Sequence, residues 1–120
     1  MKVLIVDDSI TARVVLIQVI QKIEPSVEFF EAKNGKEAVE IFKKELPRVI
    51  FTDLTMPIMD GYDLISNIIS MDNEAQIIVV TADTQTESKD KVIELGAKNA
   101  YAKPIMLDTM QKIFMHDLLI

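Results

Sequence analysis

Two patterns of apolar residues alternate along this 120-residue chain. Short runs rich in Val, Ile and Phe occur at residues 3–7 (VLIVD), 27–32 (VEFFEA), 48–53 (RVIFTD) and 76–82 (QIIVVTA), and a fifth short run, built on Ala and Tyr, at 99–103 (NAYAK). Each is too short for a helix and predicts a strand. Between and after them lie longer segments in which apolar residues recur every three or four positions, predicting helices over 9–24, 34–46, 62–71, 86–97 and 107–119. In the first helix Val14, Val15, Ile17, Ile20 and Ile23 form the expected inward stripe, and Pro25 ends it. In the second the stripe is Ala38, Val39, Ile41, Phe42 and Leu46, closed by Pro47, and in the third it is Leu64, Ile65, Ile68 and Ile69. Thr84 and Glu87 have the spacing of a capping box ahead of the fourth helix, and Gly96 marks its stop.

Strand followed by helix, five times over, predicts a parallel sheet, because a helical crossover returns the chain to start the next strand in the same direction. Strands this apolar require cover on both faces. The expected fold class is α/β, a flavodoxin-like doubly wound (βα)5 sandwich. Its five-stranded parallel sheet has the order 2-1-3-4-5, with a crevice at the carboxyl ends of strands one and three. A closed barrel would need eight such units.

Composition changes this picture little but excludes several functions. Residues 1–120 read as a single domain, with no repeat and no Pro/Gly/Ser-rich linker. A net charge of −6 without a run of Lys or Arg argues against nucleic acid as a partner. No apolar stretch has the length of a membrane span, and the amino terminus is too short in apolar residues for a signal peptide. With no cysteine there is no disulfide framework or thiolate chemistry, and the cytoplasm is the default compartment.

The polar residues that matter stand where strands stop. Strand one runs into Asp7 and Asp8, strand three ends at Asp53, strand four at Thr81 and strand five at Lys103, whereas strand two offers nothing comparable. In the 2-1-3-4-5 order the three carboxylates, the hydroxyl and the ammonium converge on one crevice. Three neighbouring carboxylates need a proton or a cation, and an all-oxygen set suits a hard ion such as Mg2+. Thr81 and Lys103 suit an anion, since both donate hydrogen bonds to phosphoryl oxygens. The combination points to phosphoryl transfer onto a carboxylate.

The acidic pair in LIVDDS, the acid in IFTDLTMPIMDG, the hydroxyl in VVTA and the AKP after strand five together resemble the receiver domains of two-component response regulators, over the whole chain. The resemblance implies that Asp53 is the phosphoacceptor and that Asp7, Asp8, Asp53 and the backbone carbonyl of Thr55 hold Mg2+, with Asp7 acting through water. It also implies that Thr81 and Lys103 hold the phosphoryl group and that a cis peptide bond precedes Pro104. Tyr101 would be the switch aromatic, coupled to Thr81, and Thr55 and Asp83 would tune hydrolysis. The protein would then be a phosphorylation switch with weak self-catalysed phosphorylation and dephosphorylation rather than an enzyme. Its phosphodonor would be a partner histidine kinase, since the lone His116 sits in the last helix. The altered surface would be helix four, strand five and helix five.

DDSITAR, Ala82 and Tyr101 resemble chemotaxis-type stand-alone receivers, which implies a downstream protein partner: a flagellar switch, a phosphatase or a phosphotransfer protein. A phosphorelay intermediate and a receiver cut from a longer regulator remain alternatives. A small Asp-nucleophile phosphatase uses similar residues but places a second Asp where Thr55 stands, and a flavodoxin needs a hydroxyl- or glycine-rich loop where DDSIT stands. Taken one at a time, Asp7 and Asp8 also fit turn or helix-cap positions, with Ser9 a competing cap, and Tyr101 equally fits a half-buried strand residue.

Overall fold

The computed structural model describes residues 1–83 and 85–119. The predicted alternation is realised as β1 (Lys2–Val6), α1 (Ile10–Ile23), β2 (Glu28–Ala32), α2 (Gly35–Glu45), β3 (Val49–Thr52), α3 (Gly61–Met71), β4 (Gln76–Thr81), α4 (Thr86–Leu95), β5 (Asn99–Ala102) and α5 (Leu107–Lys112). All strand pairs are parallel and the sheet order is β2-β1-β3-β4-β5, so the flavodoxin-like arrangement is observed. Alternation along each strand divides the core in two. Leu4, Val6, Ile50, Ile77 and Val79 pack with Ala38, Phe42, Leu64, Ile68 and Val92 of α2, α3 and α4. Val3, Ile5, Phe51, Ile78 and Val80 pack on the other face with Ile20, Met110 and Ile113.

Helix starts follow the side chains that can cap them. Ser9, Asn34 and Asp60 accept hydrogen bonds from the backbone N–H groups of Ala12, Glu37 and Asp63, satisfying donors the first turn leaves unpaired. For α4 the cap position is Gln85, without a side-chain bond; the Thr84 half of the expected capping box lies outside the described residues. Gly96 ends α4 in the left-handed conformation at φ 116°, as expected of a helix stop.

Three expectations need correction. Val14 and Val15 are 44% and 41% exposed rather than inward. The stripe of α1 that meets the sheet is Ile20 flanked by Leu16, Ile17, Val19 and Ile23, and Val14 and Val15 lie roughly 120–140° around the axis from Ile20. Leu46 is 67% exposed, because Pro47 excludes the helical conformation before it and Leu46 leaves α2 at φ 49°. The last helix is not regular over 107–119: after Lys112 it widens into a π-helical turn, Ile113–Asp117, and the chain then leaves it. Beyond that turn Leu118 is buried, and the buried amide of Gln76 reads the backbone of Leu119 in both directions. Its Oε1 accepts from the N–H at 2.6 Å and its Nε2 donates to the carbonyl at 3.0 Å.

Candidate functional site

The crevice forms where β1 and β3 outrun their ladders. Asp7 N–H makes a last rung to Ala32 O (3.1 Å) and Asp53 N–H to Val6 O (3.0 Å), so both residues leave the sheet with their backbones fixed. Their side chains are buried, at 8% and 9% exposure. Asp8 is exposed, and one carboxylate oxygen from each of Asp7, Asp8 and Asp53 lies within 4.8 Å of the others. Ser9, not Asp8, caps α1, leaving the Asp8 carboxylate available to the cluster.

Lys103, directly after β5, enters this cluster from the other side. Its Nζ lies 2.6 Å from Asp7 Oδ2 and 2.8 Å from Asp53 Oδ2. Burial alone would lower the ammonium pKa, but its bonds to Asp53 and then Asp7 outweigh that and hold it above its ordinary value. The remaining oxygens are also engaged, Asp7 Oδ1 by the N–H of Ser9 at 2.9 Å and Asp53 Oδ1 by the N–H of Leu54 at 2.7 Å. The peptide bond between Lys103 and Pro104 is cis, as the resemblance implied.

Thr81 closes β4 and is buried, its hydroxyl accepting from the N–H of Asp83 at 3.2 Å. Asp83 is exposed and its carboxylate is committed to the start of α4, accepting from Gln85 N–H at 3.1 Å and Ser88 Oγ at 2.7 Å. These bonds, Gln85 first, hold its carboxyl below the usual range. Thr55 lies exposed in the loop after Asp53. Tyr101 is half-buried, and its hydroxyl donates to Asp117 and accepts from Asn99 Nδ2 at 3.0 Å. Burial, followed by the bond to Asp117, pushes its pKa up to about 12. A cavity of about 110 Å3 beside Thr81 is lined also by Leu54, Asp83, Ser88, Tyr101 and Ala102.

Glycine decides how the loop after β3 folds back. A Cβ on Gly61 would lie 2.3 Å from the carbonyl oxygen of Asp53 and 2.7 Å from Leu54 Cα, so only glycine lets the start of α3 press on the acid's own backbone. The Gly61 N–H accordingly donates to Leu54 O at 2.9 Å.

The geometry therefore brings Asp7, Asp8, Asp53 and Lys103 into one cluster at the carboxyl ends of β1, β3 and β5, with Thr81 at the end of β4. The model of the response regulator receiver domain matches residues 3–115. The chain belongs to that family. The chemotaxis protein CheY of Thermotoga maritima is 42% identical to this receiver over 103 residues, 86% of this chain and 85% of the relative. Sporulation initiation phosphotransferase F of Bacillus subtilis is 33% identical over 110 residues, 92% and 87% of the two chains. The crystal structure of the CheX–CheY–BeF3–Mg2+ complex from Borrelia burgdorferi matches with a TM-score of 0.89 at 30% identity, covering 96% of this chain and 87% of that one. The receiver is thus a CheY-like module of two-component signalling and not an enzyme in the ordinary sense. No helix among its described residues is long and apolar enough to cross a membrane.

Two parts of the site escaped the sequence reading. Asp117, which holds Tyr101, gave no signal, because only the π-helical turn brings it there. Glu31 of β2, one residue before that strand ends, reaches the site through Arg13: its carboxylate accepts from Arg13 Nε at 2.9 Å, and Arg13 Nη1 donates to Asp7 O at 2.7 Å. Alternation held the clue, since Glu31 shares the α1-facing side of β2 with Phe29.

Proposed function

We propose that this receiver accepts a phosphoryl group on Asp53 from the phosphohistidine of a partner histidine kinase, in a reaction requiring Mg2+. The observation that carries the reading is the convergence on Asp53 of two further carboxylates and one ammonium. An Asp53 oxygen forms the new O–P bond as the donor's N–P bond breaks and the imidazole departs. Lys103, already 2.8 Å from Asp53 Oδ2, then donates to a phosphoryl oxygen, and the Thr81 hydroxyl turns from Asp83 to do the same.

The donor set fits the metal, being all oxygen and acidic. Asp7, Asp8, Asp53 and the carbonyl of Thr55 would hold Mg2+, with Asp7 bonding through water as the family resemblance implies. Bound there, the ion supplies neutralisation of the charge on acceptor and transferred group. Movement of Thr81 would be coupled to Tyr101, biasing the surface of α4, β5 and α5 that a downstream protein reads.

Similarity to CheY of Thermotoga maritima favours a chemotaxis role, with a flagellar switch or a phosphatase as the partner that reads the switch. Similarity to sporulation initiation phosphotransferase F supports the second reading, a phosphorelay step in which a phosphotransfer protein is the partner. The test is incubation of wild type and Asp53→Asn with Mg2+ and acetyl phosphate, followed by intact mass. A single phosphoryl adduct on wild type, lost with chelator and absent from Asp53→Asn, is expected; equal adduct on both proteins would refute the acceptor.

A further inference from the structure

We infer that Arg13, steered by Glu31, is a positioning residue for the cation site, fixing the turn that carries Asp7 and Asp8. The inference rests on the Mg2+ reading given above. Its ground is a carbonyl that the sheet cannot serve. At Asp7 the chain has run past its last rung to β2, the Asp7 N–H bond to Ala32 O, and β2 itself ends at Ala32. The Asp7 carbonyl then accepts from Arg13 Nη1 at 2.7 Å. Arg13 stands in the first turn of α1, where its own N–H donates to Ser9 O (3.1 Å), so one side chain ties strand end to helix start across the acidic turn.

A guanidinium beside a cation site is at first sight misplaced, since its charge opposes the ion. Glu31 answers this. It bonds Arg13 Nε at 2.9 Å, offsetting the charge and fixing the plane of the guanidinium so that Nη1 points at the carbonyl. The Arg13 side chain is 13% exposed, so it is held rather than waving in solvent, whereas Glu31 is 45% exposed and replaceable without disturbing the core. Asp7 is thereby fixed at three points: its carbonyl by Arg13, one carboxylate oxygen by Ser9 N–H and the other by Lys103. Asp8 has its backbone set between Asp7 and the Ser9 cap, while its exposed carboxylate stays free for the ion.

Positioning and charge predict opposite signs for one substitution. Arg13→Gln removes a positive charge near a cation, so charge alone makes Mg2+ bind more tightly; loss of positioning makes it bind more weakly. We expect weakening of about tenfold, the scale seen when groups behind metal ligands are removed. Arg13→Lys, which keeps the charge and loses the fork, should weaken binding in the same direction. Calorimetric titration of the full chain with Mg2+ alone, with thermal unfolding as a check on the fold, decides it. Unchanged or tighter Mg2+ binding by folded Arg13→Gln overturns the inference while leaving the metal site standing, whereas wild type that binds no Mg2+ overturns the metal reading itself. Should Arg13→Gln not fold, Glu31→Gln serves: a loss of affinity that persists at about 1 M salt, where the Debye length is about 3 Å, supports positioning. A loss that disappears there, or no loss at all, overturns it.

Discussion

At the scale of single residues, function in this receiver depends on which partner a polar group already has. Tyr101 illustrates it. Its ring packs in the core shared with α1 and α5, while its hydroxyl is taken by Asp117 and Asn99, so any movement of the ring must first give up a charge-assisted hydrogen bond. Because its pKa is raised to about 12, the stability that the neutral phenol contributes is complete below its ordinary value near 10 and is lost as pH rises through about 12. Asp117→Asn removes the carboxylate but not the burial, so ultraviolet absorbance titration should show one of the two tyrosines ionising at lower pH than in wild type. No change would mean that Asp117 does not hold Tyr101. Asp7, Asp53, Thr81 and Lys103 were legible in the sequence because each ends or follows a strand. Asp117 was not, since its placement depends on a helical irregularity that no periodicity announces.

At the scale of elements, the apolar pattern carried type and order further than it carried faces. All five strands and the first four helices follow the reading, and the last helix starts as read but gives way to a π-helical turn after Lys112, while Val14, Val15 and Leu46 face outward. A count of apolar residues does not fix the rotation of a helix on the sheet, and Pro47 ejects its neighbour. The loop between β3 and α3 shows what glycine does for the site. Gly61→Ala forces a methyl into the Asp53 carbonyl, and a destabilisation of about 1–3 kcal/mol is expected, readable as a lower urea midpoint. Reduced phosphorylation should accompany it, because the backbone that must move belongs to the acceptor. A variant as stable and as reactive as wild type would show that the loop yields freely.

At the scale of the whole molecule, the parallel sheet collects every strand's carboxyl end at one edge, and there gathers charges that destabilise one another until something is bound. Lys103 offsets part of this by holding Asp7 and Asp53, but Asp8 adds a further negative charge with no protein cation upon it among the described residues. Asp8→Ala should therefore weaken Mg2+ binding strongly while leaving the metal-free protein at least as stable as wild type by thermal unfolding; a marked fall in that stability would make Asp8 a structural residue. The central claim is that this gathering of charge serves one acceptor. Borohydride reduction of protein treated with acetyl phosphate and Mg2+ converts an aspartyl phosphate to homoserine, and peptide mass spectrometry locates it. Homoserine at position 53 alone, formed only with Mg2+, is the predicted result; homoserine at position 7 or 8, or phosphate retained on His116, would contradict it.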